Sequence, residues 1–333
     1  MVYVDELIAN YIYHMELGDM QEYKDMSVFP LYKKGDNSQY ITMKEAIDTD
    51  LLTVTEIDAS GSVPELKVVN MANVPVLLLD GEELMGAKQN RVLNTTILLK
   101  ENSETVIPVS CTEQGRWSYN SLEFKESGNV ASYRVRRTKS ASVNASLKMS
   151  GEFRSDQSAV WNNIEDMVKD ASITPQTRAM DDVYQSRVDD LENYHQAFPV
   201  FEDQKGILVM VNGEVMGMDI VSSSIAYFIL HRKLLKSYAM EAILTEKSDD
   251  SNDEEAIFNG RDKAKLFLDN VNLSMDEKHK SVGYGCDHRL EGPGLVGSSL
   301  TYNDQVIHVA FFSTSDPKKE DMSSYKKRRS FRM

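Results

Sequence analysis

Cysteine is scarce: Cys111 and Cys286 are the two in a chain of 333 residues. At most one bridge could form, so a disulfide-framed scaffold is excluded and a reducing compartment is the simpler expectation. Long apolar runs are missing too. The longest, 76–79 and 207–211, have the length of buried strands, far below the ~18 residues of a membrane helix. The opening residues Met1-Val2-Tyr3-Val4-Asp5-Glu6 carry acids where a secretory signal needs basic groups, so no export signal is expected. These absences together predict a cytoplasmic protein with no membrane partner. Positive charge is also in deficit, with 37 Lys+Arg against 52 Asp+Glu and a net charge of -15. That balance repels polyphosphate unless basic groups gather locally, which disfavours nucleic acid as a partner.

What remains is an ordinary globular composition, 41% hydrophobic and 27% charged. The length allows roughly two domains of ~150 residues, or one large unit. Leu7, Ile8, Tyr11, Ile12 and Met15 form one helical stripe over 5–15. Between 26 and 119, short β-rich runs broken by Gly, Pro, Asn and Asp predict an antiparallel sheet or sandwich. The stretch 125–152, rich in Ser, Asn and Gly with a basic cluster from Tyr133 to Lys139, reads as a long loop or loose edge. Val160, Trp161, Ile164, Met167, Val168 and Ala171 predict an amphipathic helix over 156–170. Asn212-Gly213 between two apolar runs predicts a type I′ hairpin over 206–220. A helix over 223–244 is expected to bury Ile225, Phe228, Ile229, Leu235, Ala239 and Ile243. A shorter helix near 261–271 precedes a last hairpin. The expected class is α+β. An antiparallel β-rich half (1–152) packs with a mixed helix and hairpin half (153–317), and a basic, disordered tail (318–333) follows. The acidic segment 246–255 reads as a solvated connector.

The densest chemistry runs from Asp80 to Arg91, between two apolar strands. If Leu99 faces Thr105 across the turn 100–104, then Leu93 faces Cys111 and Arg91 faces Glu113. One face of that hairpin is apolar and ends in the opposite charges Arg91 and Glu113, while Pro108 suggests a place near a sheet edge. Lys88, Gln89, Asn90, Arg91, Glu113 and Arg116 then gather at one end, beside Trp117. Cations, amides and a carboxylate next to an aromatic suit an anionic, ring-containing ligand. A structural ion pair with a solvated loop is the plainer alternative. Cys111, on the apolar face, reads as a buried, inert thiol.

The glycines from Gly283 to Gly297 surround Cys286-Asp287-His288-Arg289. Their spacing is neither a phosphate-binding loop nor a dinucleotide fingerprint, and no cofactor is named by it. Cys286, Asp287, His288 and His308 are ligand types without a standard zinc spacing, so no metal is expected. Asn303-Asp304 turns a hairpin that sets His308 opposite Ser299 on the more polar face, where a hydrogen-bonded sheet histidine is commoner than a catalyst.

Leu79-Asp80-Gly81-Glu82-Glu83-Leu84, Gly86-Ala87-Lys88-Gln89-Asn90-Arg91, Asn94-Thr95-Thr96, Ile107-Pro108-Val109-Ser110-Cys111 and Glu113-Gln114-Gly115-Arg116-Trp117 resemble a bacterial family. It is named for association with ADP-ribosylglycohydrolases and rhodanese-like phosphatases. Gln157 with Trp161, the helix near 234–242 and His308 extend the resemblance more loosely. It implies work on an ADP-ribose-like or other NAD-derived nucleotide, as enzyme or binder, with no reaction specified. Lys88, Arg91 and Arg116 would hold phosphate, Gln89, Asn90 and Asn94 would read sugar or base, and Trp117 would stack. Glu83, Glu113 and His308 are the catalytic candidates, the carboxylates because they can accept a proton from a ribose hydroxyl or water. The competing reading is a non-catalytic protein-interaction module that uses the same segment.

Overall fold

A computed structural model describes residues 2–35, 39–58, 61–245 and 255–314. Two antiparallel sheets, a small three-stranded one and a set of helices make an α+β fold. The larger sheet runs in the order Val2–Tyr3, Met275–Lys280, Cys286–Gly292, Leu295–Tyr302, Gln305–Ser313, Glu214–Val221, Gly206–Val211, Met26–Tyr32 and Glu16–Leu17, with Gln21–Tyr23 also paired to Met26–Tyr32. The second sheet runs Phe124–Val130, Glu82–Gly86, Arg91–Leu93, Ser103–Cys111, Glu65–Asn70 and Leu52–Thr55. The small sheet joins Ile97–Leu99, Val76–Leu78 and Ile41–Thr42. Of the acidic connector only Glu255 is described, and the basic tail lies outside the described residues.

Local signals place several elements as expected. The helix Glu6–Tyr13 starts where the Asp5 side chain accepts from the Leu7 N–H, and it buries Ile8, Tyr11 and Ile12. The helix Gln157–Asp170 is capped by Asp156 and buries Val160, Ile164 and Met167. At the hairpin tip, Asn212 and Gly213 both take positive φ, 52° and 76°, as a type I′ turn requires.

Three expectations about the elements and their pairing in the first half and the long helix fail, each for a visible reason. The stretch 125–152 is not a loose loop. Its first part is the strand Phe124–Val130, and Tyr133–Ser150 is a helix that buries Arg134, Arg136, Lys139, Ser140 and Asn144. A polar helix face is hidden from a hydrophobic-period reading when its charges are satisfied inside the molecule. The strand Ile97–Leu99 does not pair with Ser103–Cys111; it joins Val76–Leu78. Asn94, Thr95 and Thr96 break the strand because their side chains bond to Phe153 O, Asp287 and His308. Consequently Ser103–Cys111 pairs with Glu65–Asn70 and then with Arg91–Leu93, in a register that sets Arg91 opposite Cys111 rather than Glu113. This strand is central, and Pro108 sits where it changes partners: its carbonyl accepts from Asn94 N. The third failure is the helix Ser224–Leu244. It buries Leu235 and Ala239 but leaves Ile225 and Phe228 exposed, 74% and 70%. Inward positions instead go to Tyr227, Lys233, Ser237, Tyr238 and Glu241, each with a hydrogen-bond or ion partner.

One apolar cluster combines Val28, Leu79, Val92, Tyr133, Ile164, Ile207, Tyr238 and Phe312, so both sheets and the central helices share it. Across that cluster the Asp80-Gly81-Glu82-Glu83 turn is stitched down. Asp80 pairs with Lys139 of the Tyr133–Ser150 helix, and Glu82 pairs with Lys233 of the Ser224–Leu244 helix. Both pairs are buried.

Candidate functional site

The loop 86–90 and the segment after Cys111 meet at one end of the second sheet. Arg116 builds this corner. Its guanidinium holds Glu113 through two bonds of 2.9 and 2.7 Å. It also donates to the carbonyls of Ala87, Ser118 and Gly86 and to Asn90 Oδ1. Asn90 N–H in turn donates to Glu113 Oε2 at 3.2 Å. A guanidinium with its donors this fully engaged fixes the loop and has little left for a ligand.

Arg91 is in the opposite condition. It is wholly buried, and Nη1 donates to Gln89 O and Gln89 Oε1. Nε and Nη2 have no hydrogen-bond partner among the described residues. The nearest carboxylate is Glu56, whose Oε1 lies 3.9 Å from Nη2 and accepts from Lys88 N–H; Glu56 Oε2 is buried with no hydrogen-bond partner among the described residues. The Trp117 ring covers the guanidinium at 5.7 Å from its centroid. Lys88 Nζ stands 5.3 Å from the Trp117 ring and 5.1 Å from the Tyr119 ring. Both rings are about half exposed. The outcome is a compact arrangement: two half-exposed aromatic rings, an ammonium within reach of both, and a buried guanidinium and carboxylate beside them. Cys111 lies opposite Arg91 on the neighbouring strand, its thiol pushed up by burial against the opposing pull of Arg91. Glu56 and Tyr119 escape a reading of the 80–91 segment because they are remote in sequence; Tyr119, two residues beyond Trp117, offers the one local signal.

Other sequence-selected residues sit elsewhere. Asn94 spans Phe153 O and Ser110 Oγ. Glu83 is wholly buried and accepts from Thr112 Oγ1 at 2.7 Å; burial pushes its carboxyl up to about 8. His308 faces Leu300 rather than Ser299, because a bulge shifts the register after Thr301. Its Nδ1 shares a 2.8 Å hydrogen bond with Thr96 Oγ1, and Nε2 lies 3.4 Å from Asp219. Asp219 also takes two bonds from Arg136 and one from Tyr238. Burial alone would raise the Asp219 carboxyl, but the Arg136 guanidinium, with His308 beside it, holds it at about 2. These groups have no exposed surface. The glycine-rich segment serves packing: a Cβ at Gly283 would meet Leu98 O at 2.1 Å, and one at Gly285 would meet Thr301 O at 2.0 Å.

A family model described as the ARG and Rhodanese-Phosphatase-superfamily-associated Protein domain, ARPP-1, matches residues 14–312. The chain belongs to the ARPP-1 family. The ARPP-1 match takes in the corner at Lys88 to Trp117, both sheets' central strands and the buried Asp219 network. No curated protein and no solved structure matches the chain. Among the described residues, no helix is long and apolar enough to cross a membrane.

Proposed function

We propose that this ARPP-1 protein binds an ADP-ribose-like or other NAD-derived nucleotide at the corner formed by Lys88, Arg91, Trp117 and Tyr119. The observation that carries the reading is the buried Arg91, two of whose nitrogens make no hydrogen bond among the described residues, against the half-exposed Trp117 and beside Lys88. An exposed ring face accepts a base by stacking, worth about 1–3 kcal/mol per base in nucleic-acid binders. The Lys88 ammonium between the rings is placed for a phosphate. Arg91 adds positive potential that burial leaves weakly screened. The family name, which records association with ARG and rhodanese-phosphatase proteins, agrees with such a ligand. In this reading Arg116 and Glu113 hold the loop, and Glu83, Asn94 and His308 belong to the frame. Glu56, one of whose oxygens makes no hydrogen bond among the described residues, is the carboxylate that faces Arg91 in this reading. The reading is one of binding and assigns no reaction.

The chain's two tryptophans permit a direct test. In a Trp161→Phe background, ADP-ribose should change Trp117 fluorescence saturably. Lys88→Ala should weaken binding about tenfold or more, a loss of ~1.4 kcal/mol. A folded protein whose emission is unaffected by millimolar ADP-ribose, AMP and NAD would sink the reading.

A second reading has its own observation. Leu122 is 82% exposed and follows the half-exposed Trp117 and Tyr119 in one loop, and exposed aromatics are common anchors of protein interfaces. Insensitivity to nucleotides together with capture of a protein dependent on Leu122 would favour it.

A further inference from the structure

At the far edge of the larger sheet, the strand Val2–Tyr3 pairs with Met275 and Asp276. This pairing brings Asp5 against two residues distant in sequence. Asp5, Asp276 and His288 each offer a ligand atom, all within 4.8 Å of one another. His288 is wholly buried; Nδ1 is 2.8 Å from Asp276 Oδ2, and Nε2 is 3.0 Å from Thr301 Oγ1. Asp276 Oδ2 also accepts from the Asp5 N–H at 3.1 Å. The Asp276 side chain is only 6% exposed, and its Oδ1 is buried with no hydrogen-bond partner among the described residues. A buried carboxylate oxygen without a partner is costly, so it calls for a cation or a donor. Asp5 and Asp276 line a cavity of about 660 Å³, together with Lys278 and Arg289.

We infer that Asp5, Asp276 and His288 form a binding site for a divalent transition metal of the manganese or zinc class. Two carboxylates and one imidazole are a donor set for such ions. Thr301 holds the imidazole by its other nitrogen, as an outer partner orients a ligating histidine. Metal at His288 Nδ1 would take the place of the hydrogen bond to Asp276, with the ring proton on Nε2 donated to Thr301 Oγ1. Ligands at about 2.1 Å from an ion lie roughly 3 Å apart, so Asp5 must close in. Its side chain is 26% exposed and held by the Lys278 ammonium at 2.7 Å, and Lys278 must give way. The cavity side leaves coordination positions open to water or an anionic oxygen. The sequence shows His288 as a ligand type without showing its partners, because these come from both ends of the chain. The nucleotide corner lies in the other sheet and is independent of this site.

The full chain, freed of metal by chelator, is titrated with MnCl₂ and followed by Mn²⁺ electron paramagnetic resonance and by melting. One Mn²⁺ should bind per chain and raise the melting temperature. Asp5→Asn should weaken binding at least tenfold. Lys278→Ala, an exposed change that removes the competing ammonium, should tighten it several-fold. These two variants suffice even where Asp276→Asn or His288→Asn fails to fold. Absence of saturable binding below ~1 mM, or affinity indifferent to both Asp5→Asn and Lys278→Ala, would overturn the assignment.

Discussion

Arg136 and Asp219 are both wholly buried and joined by two hydrogen bonds of 2.8 and 2.5 Å. Such a pair adds little net stability compared with apolar residues of the same shape, but removing one partner strands the other. Arg136→Ala should therefore cost ~3–5 kcal/mol in urea unfolding; a loss under ~1 kcal/mol would mean that water reaches Asp219. Glu83 gives a prediction in pH. Its folded-state value is about 8, raised by burial from 4.5. Between these values the folded chain keeps a proton that the unfolded chain has lost, so stability falls as pH rises through that window. The full contribution is present below the unfolded value and gone above the folded one. Glu83→Gln should flatten the dependence of the urea midpoint between pH ~5 and ~8. An unchanged slope would show the carboxyl to be ionised in the folded protein.

At the level of elements, the 206–221 hairpin separates two roles of glycine. Gly213 stands at φ 76° with open space where a methyl group would project, so Gly213→Ala should cost only the backbone strain, ~1 kcal/mol. Gly206 faces the partner strand so closely that a Cβ would meet Asp219 O at 2.2 Å and Ile220 Cα at 2.8 Å. Gly206→Ala should approach or exceed ~3 kcal/mol, and equal losses at the two positions would contradict the pairing. The helix Ser224–Leu244 supplies a contrast. Phe228 is 70% exposed, so Phe228→Glu should leave stability within about 0.5 kcal/mol. A large loss on melting would restore the hydrophobic face expected from periodicity.

For the whole molecule, the Asp80–Lys139 pair ties the turn between two strands of the first half to a helix that crosses onto the larger sheet. Burial lowers the Lys139 ammonium's hold on its proton, against the pull of Asp80, so this tie depends on geometry. Lys139→Met alone should destabilise by ~3–5 kcal/mol, whereas Lys139→Met with Asp80→Asn should cost less than the sum of the single changes. Strict additivity in urea melts would mean that the pair is not formed. Much of this protein was legible without its structure: the α+β class, the helix after Asp156 and the Asn212-Gly213 hairpin all follow from local periodicity and turn chemistry. Those signals act over a few residues, and the chain itself carries them. The partners of Arg91 and Glu113, the inward face of the Ser224–Leu244 helix, the helix at Tyr133–Ser150 and the meeting of Asp5 with His288 were decided by the tertiary structure. Most depend on a charge or hydroxyl finding its complement far along the chain, as Lys139 finds Asp80 and Lys233 finds Glu82, and a buried ion pair leaves no period in the sequence by which to find it; Glu113 instead pairs only three residues away, with Arg116.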